Sequence, residues 1–570
     1  MIVEKARSAA CAVGIVLCLG AACGWTAEEG WKTFANPLDV SYRVLRNGPA
    51  YSDFATPADP EIIWHAGAYW LFASKGGGYF TSSDLVTWRW IEQPQVPTEE
   101  WAPTVAAVGG KLHYTARGGT VHREVDLAAG RWEKLPCKVP YSVDSALFAD
   151  DDGRLYLYWG GDRGRNPVFG CELDPRTFAA KTEVLPLFDV DMNRYGWEVR
   201  GDGNEQTDGY SYVEGAHMFR RGNRYYLQYA ASGTQFASYS DTALVGAAPL
   251  GPFRRQRTNP FSYKSTGYIP SAGHGKTFED RYGNVWHVTT GLVEGFNRRL
   301  VMFPVFFEAD GEMWCDTAFG DWPFAVPDRK VFSAEELRTG WMELAEGKAA
   351  AASSAAEGCP AARAVDNRIA TAWTANSGRS GEWLSVDFGG PATVRAIQVG
   401  FGGVVRTRSY RIEAKERDGT WRTVVDEREG RPFAEHPYYP LAKPVSALGL
   451  RLVNAADQDE PFSVRGLRAF GTMDKPRPVA PRGVRVVRDT ADRRHATVSW
   501  EPAEGASGYL VRFGVSPEKL HLSRTAKSCR IDIRSLDAEE DYVWSVAGYN
   551  EAGIGAAGFG QQVRNDDQDK

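Results

Sequence analysis

Residues 144–158 read Asp144-Ser-Ala-Leu-Phe-Ala-Asp-Asp-Asp-Gly-Arg-Leu-Tyr-Leu-Tyr158. A short apolar stretch, an Asp/Gly turn and an alternating aromatic stretch make a β-hairpin: the turn residues reverse the chain and the alternation gives it one buried face. The same order recurs on both sides. Upstream lie Asp59-Pro-Glu-Ile-Ile-Trp-His-Ala-Gly-Ala-Tyr-Trp-Leu-Phe-Ala73 and Trp101-Ala-Pro-Thr-Val-Ala-Ala-Val-Gly-Gly-Lys-Leu-His-Tyr114. Downstream lie Glu214-Gly-Ala-His-Met-Phe-Arg-Arg-Gly-Asn-Arg-Tyr-Tyr-Leu227 and His274-Gly-Lys-Thr-Phe-Glu-Asp-Arg-Tyr-Gly-Asn-Val-Trp-His-Val288. The starts are 42, 43, 70 and 60 residues apart. A period of about 40 residues or more, with room for four strands per unit, predicts propeller blades. Residues 36–330 are therefore expected to form a five-bladed β-propeller.

The rest of the 570-residue chain is too long to share that core. Over 345–472 the pattern changes to short strands such as Trp383-Leu-Ser-Val-Asp-Phe388, which fit a β-sandwich. Lys475-Pro-Arg-Pro-Val-Ala-Pro481 reads as a linker, and 478–566 as a second, smaller sandwich. The expected class is all-β: a five-bladed β-propeller followed by two β-sandwich domains. Charged residues at 24% and hydrophobic residues at 43% exclude a disordered or collagenous chain. A net charge of −6 leaves no basic footprint for nucleic acid.

Residues 1–27 read as an export signal: Lys5 and Arg7 precede an apolar run from Ala9 to Ala22 that is too short to span a bilayer. Cleavage near Gly20-Ala21-Ala22 gives a periplasmic or secreted protein, whereas lipidation of Cys23 would tether it to a membrane. Of the remaining cysteines, Cys137, Cys171, Cys315, Cys359 and Cys529 are widely spaced. At most one or two bridges are expected, with Cys137–Cys171 the candidate pair, and no zinc spacing is present.

The innermost strands of a propeller converge on its axis, so residues heading the repeats meet at one end of the channel. Three heads are acids (Asp59, Asp144, Glu214), one is His274 and one is Trp101. Glycoside hydrolysis needs converging carboxyls: one protonated to give a proton to the leaving oxygen, one ionised to activate water. A third carboxylate can raise the acid's pKa by like-charge repulsion. Each acid alone also fits turn chemistry, and Asp150 to Asp152 are read that way.

The repeat region resembles glycoside hydrolase family 43, the five-bladed arabinofuranosidases, xylosidases and galactosidases. The similarity is carried by Ala58-Asp59-Pro60, Ser82-Ser-Asp84-Leu-Val-Thr-Trp88, Trp101-Ala-Pro103, Asp144, Glu214-Gly215 and Gly273-His274-Gly275. It implies Asp59 as general base, Asp144 as pKa modulator, Glu214 as general acid, and inversion at the anomeric carbon. It also implies a sugar contact from Arg298, with Arg299 as the competitor, and a place for His274 beside substrate or a central calcium. Trp101 is either a stacking platform or blade core. This chain has Ala216 where many members have proline after Glu-Gly. Trp197 and Glu198, in the insertion before Glu214, read as pocket lining or plain loop.

Residues 345–472 resemble the factor five/eight type C (discoidin) fold through Ala364-Val-Asp366-Asn367, Thr371-Ala-Trp373, Trp383 to Gly389 and Phe470-Gly471. Asp366 and Thr371 fit that fold's calcium loop, but Ser463-Val-Arg465-Gly466 stands where an acidic residue is usual. Residues 478–566 resemble fibronectin type III through Trp500, Leu536 and Tyr542, and read as a spacer. The expectation is an exported, exo-acting, inverting glycosidase acting on polysaccharide or oligosaccharide, with no required cofactor. An α-L-arabinofuranoside is the first substrate, then β-D-galactofuranoside, β-xyloside and β-galactoside. The rivals are a non-catalytic cell-surface glycan-binding protein and a retaining five-bladed fructan hydrolase.

Overall fold

A computed structural model describes residues 27–28, 30–42, 57–98, 100–160 and 168–563. The expected export signal and Cys23 lie outside the described residues. Among those described there is no α-helix, only strands and three short 3-10 turns, and no helix is long and apolar enough to cross a membrane.

Five four-stranded antiparallel sheets follow one another along the chain. Their first strands are Ala58–His65, Thr104–Val108, Ala146–Ala149, Glu214–Arg221 and Gly273–Glu279. Each first strand contacts that of the next blade, and the fifth contacts the first, so the ring closes as a five-bladed propeller. Within a blade the strands pair in sequence order, as tight turns dictate. In blade one, Asp84 Oδ1 accepts the backbone N–H groups of Val86 and Thr87, so Ser-x-Asp-Leu-x-x-Trp is the turn between its third and fourth strands. Asp150 accepts the Tyr225 hydroxyl at 2.7 Å and ties blade three to blade four. Lys32–Phe34 pairs antiparallel with Phe324–Val326 beyond the last blade, closing the N-terminal segment onto the propeller's end.

The second unit pairs strands from Met342–Glu343 to Ser463–Met473 around buried Trp373, Val394, Tyr410, Leu452 and Phe462. The third folds from Arg485–Arg488 to Gly553–Val563, the last strand joining its two sheets. Its core holds Trp500, Phe513, Leu536, Tyr542 and Trp544, and the Tyr542 hydroxyl accepts the Asp537 N–H at 3.0 Å.

Both sandwiches are docked on the propeller, which corrects the spacer reading of the third unit. Arg299 donates to Glu435 and, at 3.0 Å, to His436 of the second unit. Gln398 Nε2 donates to the Pro37 carbonyl at 3.0 Å. The third unit sits on the insertion before Glu214: Arg194 forms a bidentate pair with Asp537, and the Gly196 N–H donates to the Leu536 carbonyl at 2.9 Å. Arg257 pairs with Glu540, and His521 stacks on Trp314 at 4.1 Å.

The insertion is therefore a docking surface. Trp197 and Glu198 are buried, and Glu198 is held by Arg255 at 2.9 Å and by the Tyr229 hydroxyl, so neither lines a pocket. The expected Cys137–Cys171 bridge is not formed. All five described cysteines are free thiols, and these two pack separately against the apolar cluster between blades two and three.

Candidate active site

One backbone device places the functional side chains. Asp59, Ala102, Asp144, Gly215 and His274 all adopt left-handed φ, at 51°, 47°, 48°, 63° and 54°. In blades one, four and five, regular pairing lapses there and resumes two residues later, at Glu61, His217 and Lys276. In blades two and three the first strand begins two residues after it. The shared kink turns the head of each inner strand across the axis.

This corrects the register expected from the repeats. Asp59, Asp144 and His274 are equivalent, but Glu214 and Trp101 stand one residue earlier than the equivalent Gly215 and Ala102. Glycine is required at 215, because the left-handed backbone coincides with a Cβ position 2.7 Å from the His274 ring. Gly273 and Gly275 are required for space alone, since a Cβ at the first would meet the Tyr239 ring and one at the second His287.

Asp59 is buried and held from several sides. The Ser74 hydroxyl donates to its Oδ2 at 2.6 Å, His274 Nδ1 lies 3.3 Å and an Arg298 Nη 3.9 Å from its Oδ1, and its N–H donates to Thr290 Oγ1. Burial alone would raise its pKa. His274, Arg298, Ser74 and Lys276 outweigh burial and hold the carboxyl below the ordinary range.

Glu214 has the opposite environment. It is buried, its carboxyl hydrogen-bonds that of half-buried Asp144, and the Tyr239 hydroxyl donates to Oε1 at 2.5 Å. Burial and the negative charge of Asp144 push its pKa well up, so the shared proton rests on Glu214. Asp144 is itself raised by burial, while His274, the bond from Glu214 and Arg117 pull it down.

Arg298 donates to Thr234 Oγ1 at 3.2 Å, and its guanidinium lies 5.1 Å from the Trp101 ring centroid; Lys75 Nζ is 4.5 Å from the same ring. Trp101 is part-exposed beside the carboxylates, whereas Arg299 points into the domain interface. Ser74, Tyr239, Asp241 and His287 were not expected from the sequence. Asp241 takes the N–H groups of His274 and Gly275 and His287 Nε2, all within 2.9 Å, and so fixes the histidine loop. Ser74, Asp241 and His287 lie on later strands of their blades and Tyr239 just before one, where no motif or spacing marks them.

The donors do not fit calcium at either place where resemblance suggested it. His274 faces Asp59, and the buried ammonium of Lys276 lies near the axis against Glu61 and the Pro103 carbonyl. In the second unit Thr371 donates to Asp366 at 2.7 Å, and the Arg465 guanidinium takes the Ile369 carbonyl at 3.0 Å. At the axis the Lys276 ammonium, and in the second unit the Arg465 guanidinium, thus stand against oxygens that a hard metal would need. Among the described residues no three His, Cys, Asp or Glu side chains group to hold a metal.

A propeller with an axial carboxylate trio defines a class of protein, and comparison with known proteins narrows it. Residues 54–313 match the model of glycosyl hydrolases family 43, and residues 348–465 match the F5/8 type C domain. Xylosidase/arabinosidase 43A of Humicola insolens is 30% identical over 199 residues, covering 28% of this chain and 58% of that protein. Beta-D-galactofuranosidase xynD of Aspergillus niger is 25% identical over 235 residues, covering 34% and 62%. Beta-xylosidase of Xylanibacter ruminicola is 27% identical over 143 residues, covering 22% and 43%. The chain thus spans less than two thirds of the length of each of these relatives.

Proposed function

We propose that this protein is an inverting, exo-acting glycoside hydrolase that removes a terminal sugar from polysaccharide side chains. The observation that carries the reading is the opposed tuning of two carboxyls in one cleft, Asp59 held below the ordinary range and Glu214 well above it. Pairs of acids driven apart in this way mark a base and an acid. Ionised Asp59 takes a proton from water as the water attacks the anomeric carbon. Glu214 gives its proton to the leaving oxygen, and Asp144 accepts the hydrogen bond that keeps that proton in place. Arg298 and Trp101 hold the sugar, and His274 positions Asp59.

The first substrate remains an α-L-arabinofuranoside, followed by β-D-galactofuranoside, β-xyloside and β-galactoside; the names of the relatives fall within that range. The basic start and short apolar run of residues 1–27 support export, with Cys23 as the point of any lipid anchor. The third unit is read as a fibronectin type III domain, with Tyr542 at its tyrosine corner.

The test is hydrolysis of aryl furanosides, aryl pyranosides and natural oligosaccharides by wild type beside Glu214→Gln. The expected result is one released sugar with inverted anomeric configuration by NMR. The variant should lose about 10²–10⁴-fold in kcat on the oligosaccharide, and less on aryl leaving groups that need little protonation. Glycan binding without turnover in wild type would put the non-catalytic binding reading in its place.

A further inference from the structure

Large apolar side chains are exposed on the run that leads into Asp144. Tyr141 is 41% and Val143 48% exposed. Tyr141 is the outer member of a stack. Its ring lies 4.1 Å from that of Trp159 at an interplanar angle of 13°, and Trp159 lies 5.7 Å from Phe169 at 20°.

Strand register fixes where the stack stands. Ala146 pairs with Tyr158, so Trp159 is at the end of blade three that carries Asp144, and Trp159 pairs in turn with Phe169. The stack is tied to blade two at the same end. The Gly118 N–H donates to Ser142 Oγ at 3.2 Å, the Arg117 N–H donates to the Trp101 carbonyl at 3.1 Å, and the charge of Arg117 acts on Asp144. A flat ring backed by two others is rigid, so little side-chain freedom is lost when a ligand covers it. Arg117, exposed and next in sequence to the Gly118 that bonds Ser142, supplies donors for hydroxyl groups.

We propose that Tyr141, backed by Trp159 and Phe169 and flanked by Arg117, forms the subsite for the sugar on the leaving-group side of the scissile bond. Its ligand is the ring of the main chain from which the terminal sugar is cut. The inference rests on the hydrolase reading, in which the terminal sugar lies between Asp59 and Glu214 and the departing oxygen faces Glu214 and its partner Asp144. An aromatic platform beside Asp144 then meets the next ring of the substrate. Its apolar face stacks on Tyr141 and its hydroxyls reach Arg117.

Two substrates with the same terminal sugar separate this from a structural role: a natural oligosaccharide, and the glycosyl fluoride, whose leaving group has no ring to stack. For Tyr141→Ala, the preference for oligosaccharide over fluoride in kcat/KM should fall about tenfold, mostly through KM, as expected for one lost apolar contact. Tyr141→Phe and Tyr141→Trp should keep the preference. An unchanged ratio in Tyr141→Ala, or equal losses on both substrates, overturns the subsite while leaving the hydrolase reading standing. A wild type inert on both substrates overturns the hydrolase reading, and the subsite with it.

Discussion

Asp59 and Glu214 are both buried, yet only one of them is raised. Burial disfavours either charge, and the difference lies in the partners. Around Asp59 stand His274, Arg298, Lys276 and the Ser74 hydroxyl; against Glu214 stands Asp144. Catalysis needs Asp59 ionised and Glu214 protonated. As pH falls, activity is lost when Asp59 takes up a proton, below the ordinary carboxylate range. As pH rises, activity is lost when the Asp144–Glu214 pair gives up its shared proton, well above that range. The plot of kcat/KM against pH is therefore expected to be a broad bell whose alkaline limb reports the pair rather than either acid alone. Asp144→Asn removes the charge that raises Glu214, so it should move the alkaline limb down while leaving the acid limb nearly in place. An alkaline limb that stays put would show that burial alone tunes Glu214. That two aspartates and a glutamate lead repeats, and that one acid would be raised by another, was legible in the sequence. The hydrogen bonds that Ser74 gives Asp59 and Tyr239 gives Glu214 were not, because Ser74 ends the second strand of its blade, Tyr239 lies just before the third strand of its own, and no motif marks either.

The hairpins were legible at the scale of single elements because turn residues and alternation act locally. The one-residue offset of Glu214 was not, since it depends on the irregular pairing between Glu214 and His217, which leaves no trace in repeat spacing. The offset has a consequence for Gly215. In the other blades the left-handed position carries Asp59, Ala102, Asp144 or His274, so a side chain is tolerated there. In blade four a Cβ would meet the His274 ring at 2.7 Å. Gly215→Ala must strain the backbone and displace the histidine that faces Asp59. A cost of about 1–3 kcal/mol is expected from the strained position, seen as a lowered Tm. Activity should fall further than stability accounts for, measured at a temperature where the variant is fully folded. Ala102→Gly, at the equivalent place in blade two, should leave kcat nearly untouched. A Gly215→Ala protein with normal kcat would mean that the His274 ring does not set the geometry of Asp59.

On the scale of the whole molecule, the sequence divided the chain into a repeat region and two sandwiches but did not reveal how they are joined. The reason is separation along the chain: Arg194 and Asp537 are 343 residues apart, and Arg257 and Glu540 are 283 apart. From the sequence the insertion before Glu214 read as pocket lining or plain loop. It is instead the seat of the third unit, and it runs on into the strand that bears the acid. Ser211 Oγ donates to the Glu198 carbonyl at 2.7 Å, three residues before Glu214. The docking and the site therefore share one loop. Gly196→Ala tests the coupling in the full chain, because a Cβ at 196 would lie 1.9 Å from the Arg534 carbonyl oxygen and must push the third unit away. Two results are expected together. Calorimetry should resolve a separate, earlier transition for the loosened unit, where wild type unfolds with its units coupled. The rate should fall about tenfold, since a small shift of a catalytic acid is costly even when the mutation lies outside the cleft. Split unfolding with a normal rate would confine the third unit to a stabilising role. Neither change would mean that the Gly196–Arg534 approach is relieved locally without parting the units.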